Sequence, residues 1–507
     1  MTLLVTDMIR LGAERHGGRV AVRFGAQELT FAQVDALSGR IAALLARDAA
    51  PGTAIGLLTN NGLFSVALDF ACVKARLIRV PLNPRLSPVE HTQMLCDTGV
   101  RRLIHSDELA DCAGALAAGI PGLAITALTD LVAEAADHDD RFVLVPHPDD
   151  GVLALYTSGT SGRLKAVLHS QASYAAITRN VLDNLMDPRP GDMMLHAASL
   201  IHASGTLVLP FWIRGGTAAI LPGFVPAEYL DAVARWRPTA LMLVPTMLAM
   251  LMDAPMFDVD RFDSVDMILY GASPMPRPLI DRALALFGPR FVQFFGQTEA
   301  PLAITVLTRE DHLDPALRAS CGRPARDCVV CIVDRDGVDQ PAGQEGEVIV
   351  RAPFRMVGYH GLDALTADTL RTDGWLRTRD IGFLDTRGYL TLVDRASDMI
   401  VSGGYNVYPK EVEDALLTHA AVAEAIVVGI PSETWGEAVA AFVVLRDGAG
   451  QTRVDPADLI AHCRTRLAGY KIPRRIAVID AIPKSAVGKP LRRVIRDPFW
   501  AGLARRI

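Results

Sequence analysis

The stretch GVLALYTSGTSGRLKAVLHS (151–170) gathers hydroxyls, glycines and cations into one short loop. An apolar run ends in Thr157-Ser158-Gly159-Thr160-Ser161-Gly162, and Arg163 and Lys165 follow. Such a loop offers hydroxyl and amide donors without bulk, and its glycines let the backbone wrap closely around an anion. A polyphosphate is the matching ligand, with Lys165 as a point charge. The Gly-x-x-x-x-Gly-Lys-Ser/Thr spacing of the usual phosphate loop is absent. So is the Gly-x-Ser-x-Gly elbow of hydrolases.

Three further segments can do chemistry. In FFGQTEA (294–300) an apolar run leads into Gly296, Gln297, Thr298 and Glu299. A carboxylate there can hold Mg²⁺, which prefers oxygen ligands and keeps substrate phosphates in its shell; alone, it reads equally well as an exposed turn. In residues 373–413, Asp380 can accept two ribose hydroxyls, and Gly403-Gly404 lets a thin ligand or another backbone pass closely. In IPKSAVGKPLRR (482–493), Lys489 follows Gly488 in a tail loop and can reach a site as a flexible cation. Cys328 and Cys331 form Cys-x-x-Cys, but an apolar strand surrounds them and no second pair accompanies them. They read as buried thiols rather than zinc ligands.

The elements around these segments alternate. TAIGLLT (53–59) reads as a strand, SVALDFACVKAR (65–76) as a helix, and LIRVPLNP (77–84) as strand then turn. AIVVGIP and VVLRDG repeat the strand-to-turn pattern late in the chain. The alternation predicts βαβ units and largely parallel sheets with helices on both faces. From about residue 321 the texture changes to short strands with Gly and Asp-Gly turns, a small β-rich subdomain. The Ala-rich segment 108–136 reads as helix and loop. After Arg395 comes a separate unit. Its helix PKEVEDALLTH starts at Pro409, and its helix DPADLIAHCRTRLAG has Asp455 as N-cap and Gly469 as stop. The fold class is therefore α/β: a large N-terminal domain (1–394) of two βαβ-type sheets and a small β-rich part, and a small α+β C-terminal domain (395–507).

Composition narrows the function. The 507 residues are 50% hydrophobic and 21% charged, with a net charge of −6, so neither disorder nor a nucleic-acid or anionic-membrane partner is indicated. Seven cysteines in so long a chain are no disulfide framework, and a reducing cytoplasm suits them. Met193–Ile213 has no formal charge and nearly spanning length, but two histidines, Gly205 and Pro210 make it buried core around a site rather than a membrane span.

Taken in order, the four segments resemble the adenylate-forming superfamily of acyl-CoA synthetases, peptide-synthetase adenylation domains and luciferases, and most closely its acyl-CoA ligase branch. LTFAQVDALSGRIAALL and VPLNPRLSPVE extend the resemblance over essentially the whole chain. It implies that ATP and a carboxylic acid form an acyl-adenylate, whose acyl group then passes to coenzyme A. By motif, the 157–165 loop would cradle the β- and γ-phosphates, Glu299 would bind Mg²⁺, and Thr298 would touch the α-phosphate. Gly271, Ala272 and Ser273 would border the adenine, Asp380 and Arg395 the ribose. Lys489 would bridge the acid and the α-phosphate. The small domain would then rotate about a hinge at Ser397, replacing Lys489 with the Gly403-Gly404 face of a pantetheine tunnel. Trp435, Tyr470, Lys471, Arg474 and Arg475 would face coenzyme A.

The resemblance also places the acyl pocket. His202, in SLIHASG (199–205), falls at the family's gate histidine, and it also reads as an ordinary core histidine. Val244, Pro245, Thr246, Met247, Gly271, Gly296, Ala300 and Pro301 would supply further walls. They are apolar, and no aspartate stands between Ser199 and Gly205 to hold an amine, so a bulky hydrophobic or aryl acid is implied. Four positions depart from the family pattern: Leu164 and Ala166 around Lys165, Arg379 where Thr-Gly-Asp is usual, and Ser397 at the hinge. They leave a second reading open, a ligase that only thioesterifies a preformed acyl-adenylate.

Overall fold

The computed structural model describes all residues except 1–2, 139–141, 143, 159–163, 274, 396–397, 403–404, 433–434, 447–453, 485–489 and 502–507. Among the described residues the strands form four sheets. The chain packs as two compact units: 1–275 with 279–330 and 350–377, and 276–278 with 331–349 and 378–507.

The first unit holds the two large sheets. Short aliphatic runs such as Ala54–Leu58, Ile78–Pro81 and Arg102–His105 become neighbouring parallel strands. They are buried along nearly their whole length, as parallel strands covered on both faces must be. Ser65–Lys74, between the first two, is a helix buried nearly all round, and other helices beside the sheet start at side-chain caps. Thr30 accepts from the Gln33 amide to start Phe31–Asp48, and Ser87 accepts from Glu90 to start Pro88–Asp97. This seven-stranded sheet runs Gly358–Tyr359, Leu164–Ser170, Gly151–Ser158, Ile78–Pro81, Ala54–Leu58, Arg102–His105, Ala124–Ala127. The nine-stranded sheet has Met193–His196, Ala240–Leu243, Met267–Gly271 and Phe291–Gln297 in parallel, and Ala300–Leu307 turns back antiparallel at one side. Its core packs Tyr229, Phe262, Tyr270 and Phe291 between sheet and helices.

The second unit holds most of the expected small β-rich sheet, ordered Val329–Val333, Gly346–Arg351, Leu376–Leu384, Leu390–Arg395. It also holds the C-terminal α+β part, where Val412, Leu416, Val427, Val439 and Leu459 form a core of their own.

Several expectations change in detail. The Ala-rich segment contains a strand, Ala124–Ala127, which extends the parallel order at the edge of the seven-stranded sheet. The late strands Val422–Ser432 and Gly436–Leu445 form a long antiparallel hairpin instead of a βαβ unit, because the three residues between them are too few for a crossover. The helix capped by Asp455 stops at Arg464; Gly469 instead opens a one-turn 3₁₀ helix, Gly469–Lys471. Cys328 is buried, and burial pushes its thiol up to about 12, but Cys331 is only half buried. All seven cysteines are free thiols. The 193–213 segment folds as the strand Met193–His196 and the short helices Ala203–Thr206 and Val208–Arg214, mostly buried. Among the described residues no helix is long and apolar enough to cross a membrane.

Candidate active site

Two hairpins, one from each large sheet, build the centre of the site. Gly151–Ser158 and Leu164–Ser170 pair antiparallel, and their register sets Thr157 opposite Lys165. Gly159, Thr160, Ser161 and Gly162, which join them, lie outside the described residues; Ser158 ends the first strand. In the other hairpin Gln297 pairs with Ala300, so Thr298 and Glu299 form its two-residue turn. A register shift falls at Gly296. A Cβ there would lie 2.3 Å from the Leu302 carbonyl oxygen, so only glycine lets the two backbones approach.

The hairpins meet through Lys165 and Glu299. Lys165 Nζ is 3.0 Å from Glu299 Oε1. The Tyr359 hydroxyl sits between them: it accepts from Lys165 Nζ at 2.7 Å and donates to Glu299 Oε1 at 2.7 Å. The ammonium also lies 4.1 Å from the Tyr359 ring centroid. Tyr359 reaches this point on the two-residue strand Gly358–Tyr359, where it pairs with Val167.

Glu299 is 8% exposed. Burial alone would raise its pKa, but the Lys165 charge and the bonds from Tyr359 and Lys165 outweigh that and hold it below the usual value. Glu299 is therefore an ionised carboxylate in a nearly dry place. Its turn is pinned on both carbonyls. His169 Nε2–H donates to the Thr298 oxygen at 2.9 Å, and Met356 N–H donates to the Glu299 oxygen at 2.7 Å. Burial pulls His169 down to about 4, so the ring is neutral at pH 7.

The residues present suit a magnesium–polyphosphate ligand. Glu299 offers the oxygen that Mg²⁺ prefers, and Lys165 a charge for phosphate. Two buried polar atoms beside them, Thr157 Oγ1 and Gln297 Nε2, have no hydrogen-bond partner among the described residues.

Of the expected adenine-bordering residues, Gly271 lies in register with Phe294, and a Cβ on it would sit 2.5 Å from the Phe294 oxygen. That glycine is demanded by strand packing. Ala272 follows with φ +65°, a left-handed conformation that costs a non-glycine residue roughly 1–2 kcal/mol. Ser273 is half buried.

In the second unit, Asp380 is 6% exposed and stands directly opposite Arg395 across the antiparallel ladder. Its N–H donates to Thr378 Oγ1, whose hydroxyl donates to the Val348 oxygen at 2.6 Å. Arg379, in the place of the family's usual glycine, adopts φ +64°.

Among the expected acyl-pocket residues, His202 precedes the helix Ala203–Thr206, and its Nε2 lies 3.2 Å from Asn83 Nδ2. Val244 precedes the helix Pro245–Met252 and packs against the cluster in which Met247 is buried. Ala300 is fully buried at the start of its strand, and Pro301 is half buried.

On the second unit, Trp435 is 42% exposed and carries the Arg474 guanidinium 5.2 Å from its ring centroid. Tyr470 packs on the C-terminal core. Lys471 Nζ is held by both Glu411 oxygens, at 2.6 and 2.7 Å. Burial works against its charge, but the Glu411 bonds win and raise its pKa. Ser397, Gly403, Gly404 and Lys489 lie outside the described residues.

Sequence reasoning missed Tyr359, His169, Met356 and Asn83. Tyr359, Met356 and Asn83 come from distant segments, whereas His169 lies on the strand of Lys165 itself.

The Lys165–Glu299–Tyr359 cluster at the paired hairpins is of a kind that suits a polyphosphate ligand. Family comparison agrees. Residues 9–360 match the AMP-binding enzyme family, and 411–489 match the AMP-binding enzyme C-terminal domain. A medium/long-chain-fatty-acid–CoA ligase of Mycobacterium tuberculosis is 36% identical over 97% of this chain and 90% of its own length. A feruloyl-CoA synthase of an Amycolatopsis species is 37% identical over 94% and 96%. Among solved structures, the o-succinylbenzoate CoA synthetase of Bacillus subtilis, in complex with its acyl-adenylate intermediate, superposes with a TM-score of 0.85 at 30% identity, covering 97% of this chain and 98% of that one. An amide bond synthetase from Marinactinospora thermotolerans gives 0.89 at 29%, covering 98% and 100%. The chain belongs to the AMP-binding enzyme family, in the acyl-CoA ligase branch of the adenylate-forming superfamily.

Proposed function

We propose that this chain is an AMP-forming acid–thiol ligase that turns a hydrophobic or aryl carboxylic acid into its coenzyme A thioester. The acid's carboxylate oxygen attacks the α-phosphorus of ATP, and the bond to pyrophosphate breaks. The thiol of coenzyme A then attacks the acyl carbon, and AMP leaves. The observation that carries this reading is the Lys165–Glu299–Tyr359 cluster with Thr157 across the strand. Lys165 and the 157–165 loop hold the outer phosphates, and Thr298 adjoins the α-phosphate. Bound at Glu299, Mg²⁺ would neutralise phosphate charge. Asp380 and Arg395 hold the ribose, and Lys489 stabilises the charge that develops between acid and α-phosphate.

Rotation about Ser397 then withdraws Lys489 and brings in the Gly403-Gly404 face, with Trp435, Tyr470 and Arg474 toward coenzyme A. Lys471, tied to Glu411, supports that face instead of reaching for phosphate. The names of the fatty-acid and feruloyl relatives support a substrate with an apolar body. A second reading has one specific support: Arg379 stands next to Asp380 in a left-handed conformation, where the family pattern has glycine. Such an enzyme would only thioesterify a preformed acyl-adenylate.

One experiment tests both. Decanoic and ferulic acids are supplied with MgATP and coenzyme A, and in parallel as synthetic adenylates with coenzyme A; thioesters are read by mass spectrometry. Product in both arms is expected. Product from adenylates alone establishes the second reading, and product in neither removes the ligase reading for these acids.

A further inference from the structure

Two asparagines of the seven-stranded sheet grip the loop that carries His202. Asn61 follows the strand Ala54–Leu58, and Asn83 follows Ile78–Pro81. The gripped loop follows Met193–His196 of the other sheet. Asn61 Nδ2 donates to the carbonyl oxygens of Ala198 and Leu221, both at 3.1 Å, and its Oδ1 accepts from Leu200 N–H at 2.9 Å. The loop is also folded tightly on itself: a Cβ at Gly205 would lie 1.7 Å from the Leu200 oxygen.

Asn83 is anchored on the far side. Its carbonyl oxygen accepts from His91 Nε2–H at 2.8 Å. Its Oδ1 accepts from Arg85 N–H at 3.0 Å, which fixes the orientation of the amide. Nδ2 therefore faces His202 Nε2 at 3.2 Å. An amide nitrogen can only donate, so His202 Nε2 must accept, and the single ring proton sits on Nδ1.

We propose that Asn61 and Asn83 are positioning residues for the acyl end of the site. Asn61 sets where the 198–202 loop lies. Asn83 sets the rotamer of His202 and holds its ring in the neutral Nδ1–H form. A neutral ring presents no charge to the acid's apolar body and gives no anchor to a second carboxylate. On this proposal a preference for acids with a single charge is set partly by a residue that belongs to the other sheet. The inference rests on the reading that His202 borders the acyl group.

The test combines a spectroscopic and a kinetic readout. Long-range proton–nitrogen correlations on protein labelled with ¹⁵N-histidine report the tautomer, and His202→Gln assigns the signal. The wild-type ring is expected as Nδ1–H. In Asn83→Asp, which keeps the shape but can only accept at that atom, the proton should move to Nε2. A wild-type Nε2–H ring would overturn the proposal. Kinetically, Asn61→Ala, Asn83→Ala and Asn83→Asp should each raise KM for decanoic acid about five- to tenfold and leave KM for ATP unchanged. The double variant Asn83→Ala/His202→Ala should be no worse than His202→Ala alone. Equal losses for acid and ATP, or additive losses in the double variant, would leave these asparagines as mere scaffold and overturn the proposal. If His202→Ala changes the acid KM and the Asn83 variants do not, the positioning inference fails alone. If His202→Ala also changes nothing, the acyl-pocket reading of His202 has failed.

Discussion

Lys165 and Glu299 lie 3.0 Å apart with the Tyr359 hydroxyl bonded to both. Lys165 belongs to the phosphate-type hairpin of one sheet and Glu299 to the turn of the other, so the pair ties the two sheets where they meet. The ammonium keeps further N–H donors and the carboxylate a second oxygen, and the Tyr359 hydroxyl fixes where both stand.

Tyr359→Phe tests that relationship. It keeps the ring beneath Lys165 and removes both hydroxyl bonds. KM for MgATP should rise about three- to tenfold. Thioester formation from a synthetic acyl-adenylate should change by less than about twofold. An equal loss in both assays would show that Tyr359 only supports the fold.

Glu299→Gln removes the charge and leaves the Lys165 ammonium partly buried without its counter-ion. Adenylate formation should fall about a hundredfold or more, consistent with the loss of one preorganised charge. Thermal unfolding should show a cost of roughly 1–3 kcal/mol. Wild-type pyrophosphate release by this variant would remove Glu299 from the nucleotide site.

Acid should destabilise the protein in two stages. His169 and His196 are both held at about 4 by burial, below the ordinary histidine value. The unfolded chain takes up these protons near pH 6.5, and the folded chain does not until about pH 4. Stability therefore falls as pH drops through that window, by about 2–3 kcal/mol for each ring. Glu299 acts later: its lowered pKa contributes stability above the ordinary carboxylate range, and this is lost as pH falls through the lowered value. Denaturant titrations from pH 7 to 4 should show the first slope, and His169→Gln should flatten it. A pH-independent midpoint across that range would refute the assignment.

Arg379→Gly should relieve the left-handed strain at φ +64°. A gain of about 1 kcal/mol is expected, with no loss of thioesterification. If the variant is instead less stable, the contacts of Arg379 outweigh its strain. If its ATP-dependent activity rises sharply while the adenylate arm is unchanged, Arg379 obstructs the nucleotide.

Trp435→Ala should raise KM for coenzyme A about three- to tenfold, because it removes the exposed ring on which Arg474 rests. KM for ATP should not move. Unchanged coenzyme A kinetics would take this pair out of the thiol-substrate face.

Much of the architecture was legible in the chain itself. Aliphatic runs followed by helical spacing specify parallel strands locally, because burial on both faces needs no knowledge of the partner. The motif segments likewise carry local chemistry: hydroxyls and glycines before Lys165, and a turn carboxylate at Glu299. Where local signals were ambiguous, tertiary context decided. Ala124–Ala127 became a strand because a parallel edge was there to receive it, and the Asp455-capped helix stopped at Arg464, short of the glycine.

The side-chain partnerships were not legible at all. Tyr359 meets Lys165 across 194 residues of sequence, and Asn83 meets His202 across 119. A hydrogen bond depends on positions within a few tenths of an ångström, and no spacing along the chain encodes that between separate sheets. Residue types and their local order determined which chemistry is available. Only the packing of one sheet against the other decided that Glu299 is ionised, that the Tyr359 hydroxyl lies between it and Lys165, and that Asn83 faces His202.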